Sequence, residues 1–242
     1  MSSSSHPMEV PAPDSTPSTR NRIHRALLIE GPRTEVVLIR HAQQVSPSGT
    51  EPRSVHLDPP LSDVGLEQAD AVAAHLSGEQ FSAIYCSDLE RARETAMRVA
   101  RAHQSSLDPV VLGGLREIDV FGFGDDAHPD PTADELSAAS DEFLRTRRWE
   151  AFPHSERSDD FRARVYREIE QLALHHDGER FAVVAHGGVI SAFLAAAFEI
   201  REDMFFYAAH TSVTRAFHGD GRWAMHTVNE IDHVRSHNLV SY

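Results

Sequence analysis

From about residue 34 onward the chain alternates short, unbroken apolar runs with longer stretches whose apolar residues recur every three or four positions. That alternation predicts βαβ units and a mostly parallel sheet. Val36 to Ile39 reads as a buried first strand. Ser62 can cap a helix whose Ala69, Val72, Ala73 and Leu76 form one stripe, with Gly78 as its stop. Phe81 to Cys86 is the second strand. Ser87 and Glu90 have capping-box spacing, so a helix should run to about Arg101 with Arg91 in its first turn. A short strand is expected around Val110 to Leu112, then a loop carrying LREIDVFGFGD. A helix from about Asp160 to His176 leads into the apolar strand Phe181 to His186, and GGVISAFLAAAFEI returns as a buried helix. SVTRAF and RWAMHTV, joined by Gly219 to Gly221, read as a hairpin. The fold class is therefore an α/β three-layer sandwich: a mostly parallel central sheet with helices on both faces.

Two stretches fall outside this rhythm. Residues 1–32 are Ser- and Pro-rich with little to pack on a core, and read as a disordered tail. The stretch around 121–160, rich in Asp, Pro and Ala with weak helical periodicity, reads as a lid-like excursion beside a single domain at 33–242.

Charge narrows the partners. With 37 acidic against 23 basic residues the net charge is −14, which repels polyanions, so nucleic acid is not an expected partner. A small phosphorylated metabolite remains compatible, because a few converging cations can attract an anion despite an acidic exterior. A homodimer is left open. One cysteine, Cys86, excludes an intrachain disulfide and a cysteine zinc cluster. Its place in an apolar strand makes it a small core residue. No apolar run approaches the length of a membrane span and no secretory pattern opens the chain, so the expectation is a cytoplasmic protein with no membrane partner.

In open parallel sheets ligands bind beyond the carboxyl ends of the strands, where the following helices point their N-termini. Three strands deliver basic or titratable groups to that edge: the first ends in Arg40 and His41, the second runs into the helix with Arg91, and the fourth ends in His186, Gly187 and Gly188. The two glycines let backbone approach a ligand closely. Phosphoryl transfer needs such a set, because the equatorial oxygens carry spread negative charge that guanidinium and imidazole donors stabilise. A neutral imidazole at a strand end can serve as nucleophile, and an acid must protonate the departing oxygen. Glu117 and Asp119 are the available acids.

LIRHAQQ, DPPLSDVGLEQA, YCSDLERARETA, LREI and VVAHGGVI, in this order over about residues 34–230, resemble the histidine phosphatase superfamily, which includes cofactor-dependent phosphoglycerate mutases. The resemblance implies His41 as nucleophile, Arg40 and Arg91 as phosphate ligands, His186 as second pocket histidine and Glu117 as proton donor. Gln43 and Gly187 complete the implied substrate-binding set, with no metal and no cofactor. The implied activity is phosphomonoester hydrolysis. Mutase-type transfer and a silent phospho-ligand binder are the alternatives. Ala42 stands where the family usually has glycine, a change that matters only if the backbone there needs positive φ. Gln43 and Gln44 replace the longer polar motif of mutases, which favours hydrolysis.

Other chemistries fit less well. HGG after a strand resembles an esterase oxyanion loop, but no G-x-S-x-G elbow exists in the chain. The 16 histidines contain no H-E-x-x-H, and most read as surface residues. Arg145, Arg147 and Arg148 could read a substrate anion, though such a run is more often a solvated helix face.

Overall fold

The computed structural model describes residues 29, 31–46, 58–103, 107–120 and 131–242. A six-stranded sheet forms the middle layer, built from β1 (Thr34–Arg40), β2 (Ile84–Cys86), β3 (Val110–Val111), β4 (Arg180–Ala185), β5 (Val213–Gly219) and β6 (Arg222–Glu230) in the order β3-β2-β4-β1-β5-β6. The pairs from β3 through β1 are parallel, and β5 and β6 add antiparallel at the other edge.

Strand residues alternate between two apolar layers because the side-chain period of a strand is two. Val36, Leu38, Phe181, Val183 and Ala185 face one side, where they pack with Phe161, Val165 and Ile169 of helix α4 (Ser158–His175) and Val189, Ile190 and Phe193 of helix α5 (Gly187–Ala197). Val37, Ile39, Ala182 and Val184 face the other side. There they meet Val72, Ala73 and Leu76 of helix α1 (Asp63–Leu76) and Ala92, Ala96 and Val99 of helix α2 (Glu90–Ala102). The sandwich expected from the patterning is the one observed.

The hairpin turn follows its chemistry. Asp220 and Gly221 have φ of 52° and 68°, the two positive values that a two-residue type I′ loop requires. Ser62 caps α1 as expected, accepting from Gly65 N at 3.0 Å.

Local readings differ in four places. The second strand is limited to Ile84–Cys86. Gly78 does not end α1 in a left-handed turn; the helix closes through Ser77, whose hydroxyl donates to Ala74 O at 2.8 Å. The capping box at Ser87 does not form: α2 begins after Leu89 with no side-chain cap, Glu90 N donates to Asp58 Oδ1 at 2.8 Å, and the Ser87 hydroxyl lies 2.8 Å from His186 Nε2. Within the expected lid, residues 121–130 lie outside the described residues. The remainder carries a regular helix α3 (Ala133–Thr146), capped by a Thr132–Glu135 capping box, with Ala139 its one buried residue. It packs Phe143 on Trp149 and Phe152, with ring centroids 5.0 and 5.3 Å apart.

Most of the tail expected at 1–32 also lies outside the described residues. Ile29 is buried, and a Cβ at Gly219 would stand 2.6 Å from its Cγ2, so packing on the sheet reaches back to residue 29. A final short helix, α6 (Asp232–Arg235), follows β6. Among the described residues no helix is long and apolar enough to cross a membrane.

Candidate active site

The strand order decides what meets at the carboxyl edge. Because β2, β4 and β1 are neighbours, the residues following them stand side by side: Ser87 after β2, His186 after β4, His41 after β1. The ladder continues one step past the strands, with His41 N donating to Ala185 O at 2.8 Å and Ser87 N to Val184 O at 3.1 Å. The rings of His41 and His186 lie 5.0 Å apart, centre to centre.

Hydrogen bonding assigns the proton on His41. Arg91 Nε, which can only donate, approaches His41 Nε2 at 3.3 Å. Nε2 therefore presents a lone pair to the pocket, and Nδ1 carries the hydrogen, which it donates to Ala42 O at 2.7 Å. Burial first, then proximity to His186 and the positive charges of Arg91 and Arg40, hold the imidazole neutral, with its pKa well below the ordinary value. Ala42 is buried, its N–H bonds Thr95 Oγ1 at 3.1 Å, and its φ is not positive. The substitution of alanine for glycine therefore costs no backbone strain.

Two guanidinium groups flank this nitrogen. Arg40 is anchored by Nη1 on Ala208 O and by Nη2 on His210 Nε2 at 3.1 Å, and it stacks over the Tyr207 ring at 5.2 Å. Arg91 makes an ion pair with Asp58 at 3.6 Å, not with Glu94, which instead pairs with Arg98. Burial lowers the pKa of both groups from the usual arginine value without removing their charge. Arg40 Nε, Arg91 Nη1 and His186 Nδ1 are buried and have no hydrogen-bond partner among the described residues.

His186 is fully buried and held neutral by desolvation and by the nearby arginines. Its Nε2 lies 2.8 Å from Ser87 Oγ, which itself accepts from Leu89 N at 3.3 Å. With the Ser87 hydroxyl hydrogen directed at Nε2, Nδ1 is the protonated nitrogen and a donor into the pocket.

Glu117 follows a 3₁₀ turn (Gly113–Leu115) beyond β3 and reaches across to the start of α5, where Oε2 accepts from Gly188 N at 3.0 Å. Oε1 accepts from Ile118 N at 3.1 Å. Desolvation raises its pKa, outweighing these two donors and the pull of Arg91 and Arg40. Glu117 is not the partner of Arg116, which bonds Asp88 through Nε and Nη2 at 3.1 and 2.7 Å. Asp119 lies two residues further on, and its carbonyl accepts from Glu156 N at 3.1 Å.

The two glycines divide their work differently from the expectation. A Cβ at Gly188 would stand 2.3 Å from Glu117 Oε1, so it is Glu117 that needs this glycine. A Cβ at Gly187 would meet Arg40 Nε at an ordinary 3.6 Å. Gln43 lies two residues after His41, but its Oε1 accepts from Ser62 Oγ at 2.8 Å and its N–H bonds Gln68 at 2.9 Å. Those bonds brace the loop after His41.

The arginine cluster is occupied elsewhere. Arg145 pairs with Glu142, Arg147 caps α3 in a left-handed conformation, and Arg148 bonds Glu150 and Asp159. Cys86 is buried with its thiol pushed up to about 11, and is not a nucleophile at neutral pH. Sequence reasoning missed His210, Ser87 as a partner of His186, and Thr95 behind Ala42. Their partners are far away in the chain, and no local string marks them.

Known proteins carry the same pattern. Residues 36–231 match the family model of the histidine phosphatase superfamily, branch 1. The chain is 29% identical over 210 residues to a metal-independent phosphoserine phosphatase of Arabidopsis thaliana, covering 86% of each sequence. It is 31% identical over 214 residues to a phosphoglycerate mutase-like protein of the same plant, covering 83% of this chain and 86% of that one. The solved structure of a mycobacterial glucosyl-3-phosphoglycerate phosphatase with VO3 superposes with a TM-score of 0.64 at 27% identity, over 81% of this chain and 98% of that one. With a sheet that delivers two histidines and two arginines to one edge, and a family match over most of its length, the chain belongs to the histidine phosphatase superfamily.

Proposed function

We propose that this protein hydrolyses phosphomonoesters of small metabolites through a phosphohistidine at His41, without a metal. The observation that carries the reading is the set of buried groups around His41: Arg40 Nε, Arg91 Nη1 and His186 Nδ1 have no hydrogen-bond partner among the described residues, and His41 Nε2 turns its lone pair to Arg91 Nε. Three convergent donors match the equatorial oxygens of a phosphoryl group in flight.

In the first displacement His41 Nε2 attacks phosphorus in line, the P–O bond to the leaving alcohol breaks, and Glu117 gives its proton to that oxygen. In the second, the Glu117 carboxylate takes a proton from water, the hydroxide oxygen attacks phosphorus, the N–P bond breaks, and His41 returns to its neutral form. A raised pKa suits Glu117 to both steps. The names of relatives support the class: a phosphoserine phosphatase and a glucosyl-3-phosphoglycerate phosphatase both act on small phosphorylated molecules. The hydrogen bond from Ser62 to Gln43 favours hydrolysis over mutase chemistry, since it withdraws a polar group that could hold a substrate carboxylate. A single buried, unbridged cysteine and an acidic chain suit the cytoplasm and a partner that is a small substrate and not nucleic acid.

Rapid acid-free quenching with a phosphorus-labelled substrate should trap an adduct on His41 that survives alkali and is lost in acid. A trapped adduct on another residue, or full turnover in His41→Ala, overturns the mechanism.

A further inference from the structure

Arg40 is held by a hydrogen-bonded clasp that passes through His210 and Ser241. Arg40 Nη2 can only donate, so His210 Nε2 accepts, at 3.1 Å, and the hydrogen of His210 resides on Nδ1. Nδ1 lies 2.9 Å from Ser241 Oγ, and His210 N donates to Ser241 O at 3.0 Å. Ser241 Oγ also receives Gln68 Nε2 at 2.8 Å, while Gln68 Oε1 accepts from Gln43 N at 2.9 Å. The clasp thus starts at the residue before the nucleophile and ends two residues after it, passing through residues 210, 241 and 68.

The backbone is bent to make this contact. Thr211 has φ of 57°, a conformation that β-branched residues rarely adopt. The bend lets Thr211 N reach Arg40 O at 3.1 Å while the preceding imidazole turns to the Arg40 guanidinium. His233 Nε2 lies 3.0 Å from Thr211 O and supports the bend from α6.

We infer that His210 is a positioning residue. In its neutral Nδ1–H form, held by Ser241, it fixes the Arg40 guanidinium so that Nε, which has no hydrogen-bond partner among the described residues, faces the phosphoryl site. The inference rests on the phosphatase reading for the meaning of that site. Burial, aided by Arg40, pushes the His210 pKa down to about 3, so the accepting form is kept throughout the neutral range.

Vanadate affinity and turnover of p-nitrophenyl phosphate should be measured for the unaltered protein, His210→Leu, His210→Gln and Ser241→Ala, each with its melting temperature. Loss of a hydrogen bond to a charged group costs about tenfold to a hundredfold in such a site. His210→Leu should weaken vanadate binding and kcat/KM by that factor, and His210→Gln, whose amide oxygen can accept from Arg40, should recover most of it. The ¹⁵N shifts of His210 should show one Nδ1–H tautomer, giving way to a mixture in Ser241→Ala. His210→Leu matching the unaltered protein in vanadate affinity, or an Nε2–H tautomer, overturns the inference. Should the chosen variants unfold, the tautomer in the unaltered protein still decides it. Absence of both vanadate binding and turnover in the unaltered protein would instead overturn the phosphatase reading.

Discussion

Gly188 and Glu117 are fitted to each other across the pocket: the glycine N–H donates to Oε2 at 3.0 Å, and a Cβ on residue 188 would stand 2.3 Å from Oε1. The contact is with the end of a movable side chain, so Gly188→Ala should displace the carboxylate and leave the backbone in place. Alanine is also the better helix former, by up to about 1 kcal/mol. Gly188→Ala should therefore keep or raise the melting temperature while kcat on alkyl phosphates falls about tenfold or more. Calorimetry and steady-state kinetics check both parts. Unchanged kcat, or a protein that fails to fold, refutes the fit.

Four buried imidazoles set the acid side of the stability profile. His41 and His186 are held well below the ordinary histidine value, His210 at about 3 and His233 at about 4, each chiefly by desolvation. The unfolded chain takes up protons at these positions near pH 6.5 and the native chain does not. Their contribution is thus present above about pH 6.5 and is lost as pH falls toward the folded values. Each costs about 1.4 kcal/mol per pH unit across that window. Neutralising part of the net −14 charge acts the other way, so the informative quantity is a difference in slope. Urea midpoints between pH 6.5 and 5 should decline less steeply in His210→Gln than in the unaltered protein. Equal slopes would mean that residue 210 titrates in the native state.

The two-layer apolar pattern and the strand-end position of His41 and His186 were readable from local sequence, because a strand's alternation and its last residue are local properties. Ser87 was misread for the same reason. Its spacing from Glu90 fits a capping box, but Ser87 Oγ is shared between Leu89 N, at 3.3 Å, and the His186 ring, at 2.8 Å. That competition arises between residues 99 apart, as the clasp of Arg40 by His210 arises between residues 170 apart. Gly188 shows a third kind of gap. A glycine beside a pocket histidine signals close approach, but nothing in the string says whether the approaching group is a ligand or Glu117.

In the proposed mechanism the guanidinium and imidazole donors fill the role that metal ions take in other phosphatases. Turnover should persist in strong chelator and be inhibited by vanadate, whose oxygens can take the donors on Arg40, Arg91 and His186. Activity lost in chelator and restored by one divalent ion would refute this assignment. Phosphate release from an alkyl phosphate is the assay to use, since it also keeps the demand on Glu117.

That demand allows the acid and the charge stabilisers to be separated. An alkyl alkoxide leaves poorly and needs the proton of Glu117 as the phosphoryl group passes to His41, whereas p-nitrophenolate is stable enough to leave without it. General acid catalysis contributes about 10² to 10⁴ in rate. Glu117→Gln should lose something of that order on sugar or glycerate phosphates and much less on p-nitrophenyl phosphate. Arg91→Ala removes a charge that stabilises both reactions and should cost about 10² or more on each. The pH profile gives a second reading. Burial raises the Glu117 pKa, so activity that needs the protonated form should decline as pH rises through that raised value, and the decline should vanish in Glu117→Gln. The stability follows the same sign: a raised carboxyl contributes fully below the ordinary glutamate value and is lost as pH climbs through the folded one, so the glutamine variant should hold its melting temperature better as pH rises through that window. Equal losses on both substrates in Glu117→Gln would reduce this residue to a support for the start of α5, where it holds Gly188 N, and would leave Asp119 as the acid to test.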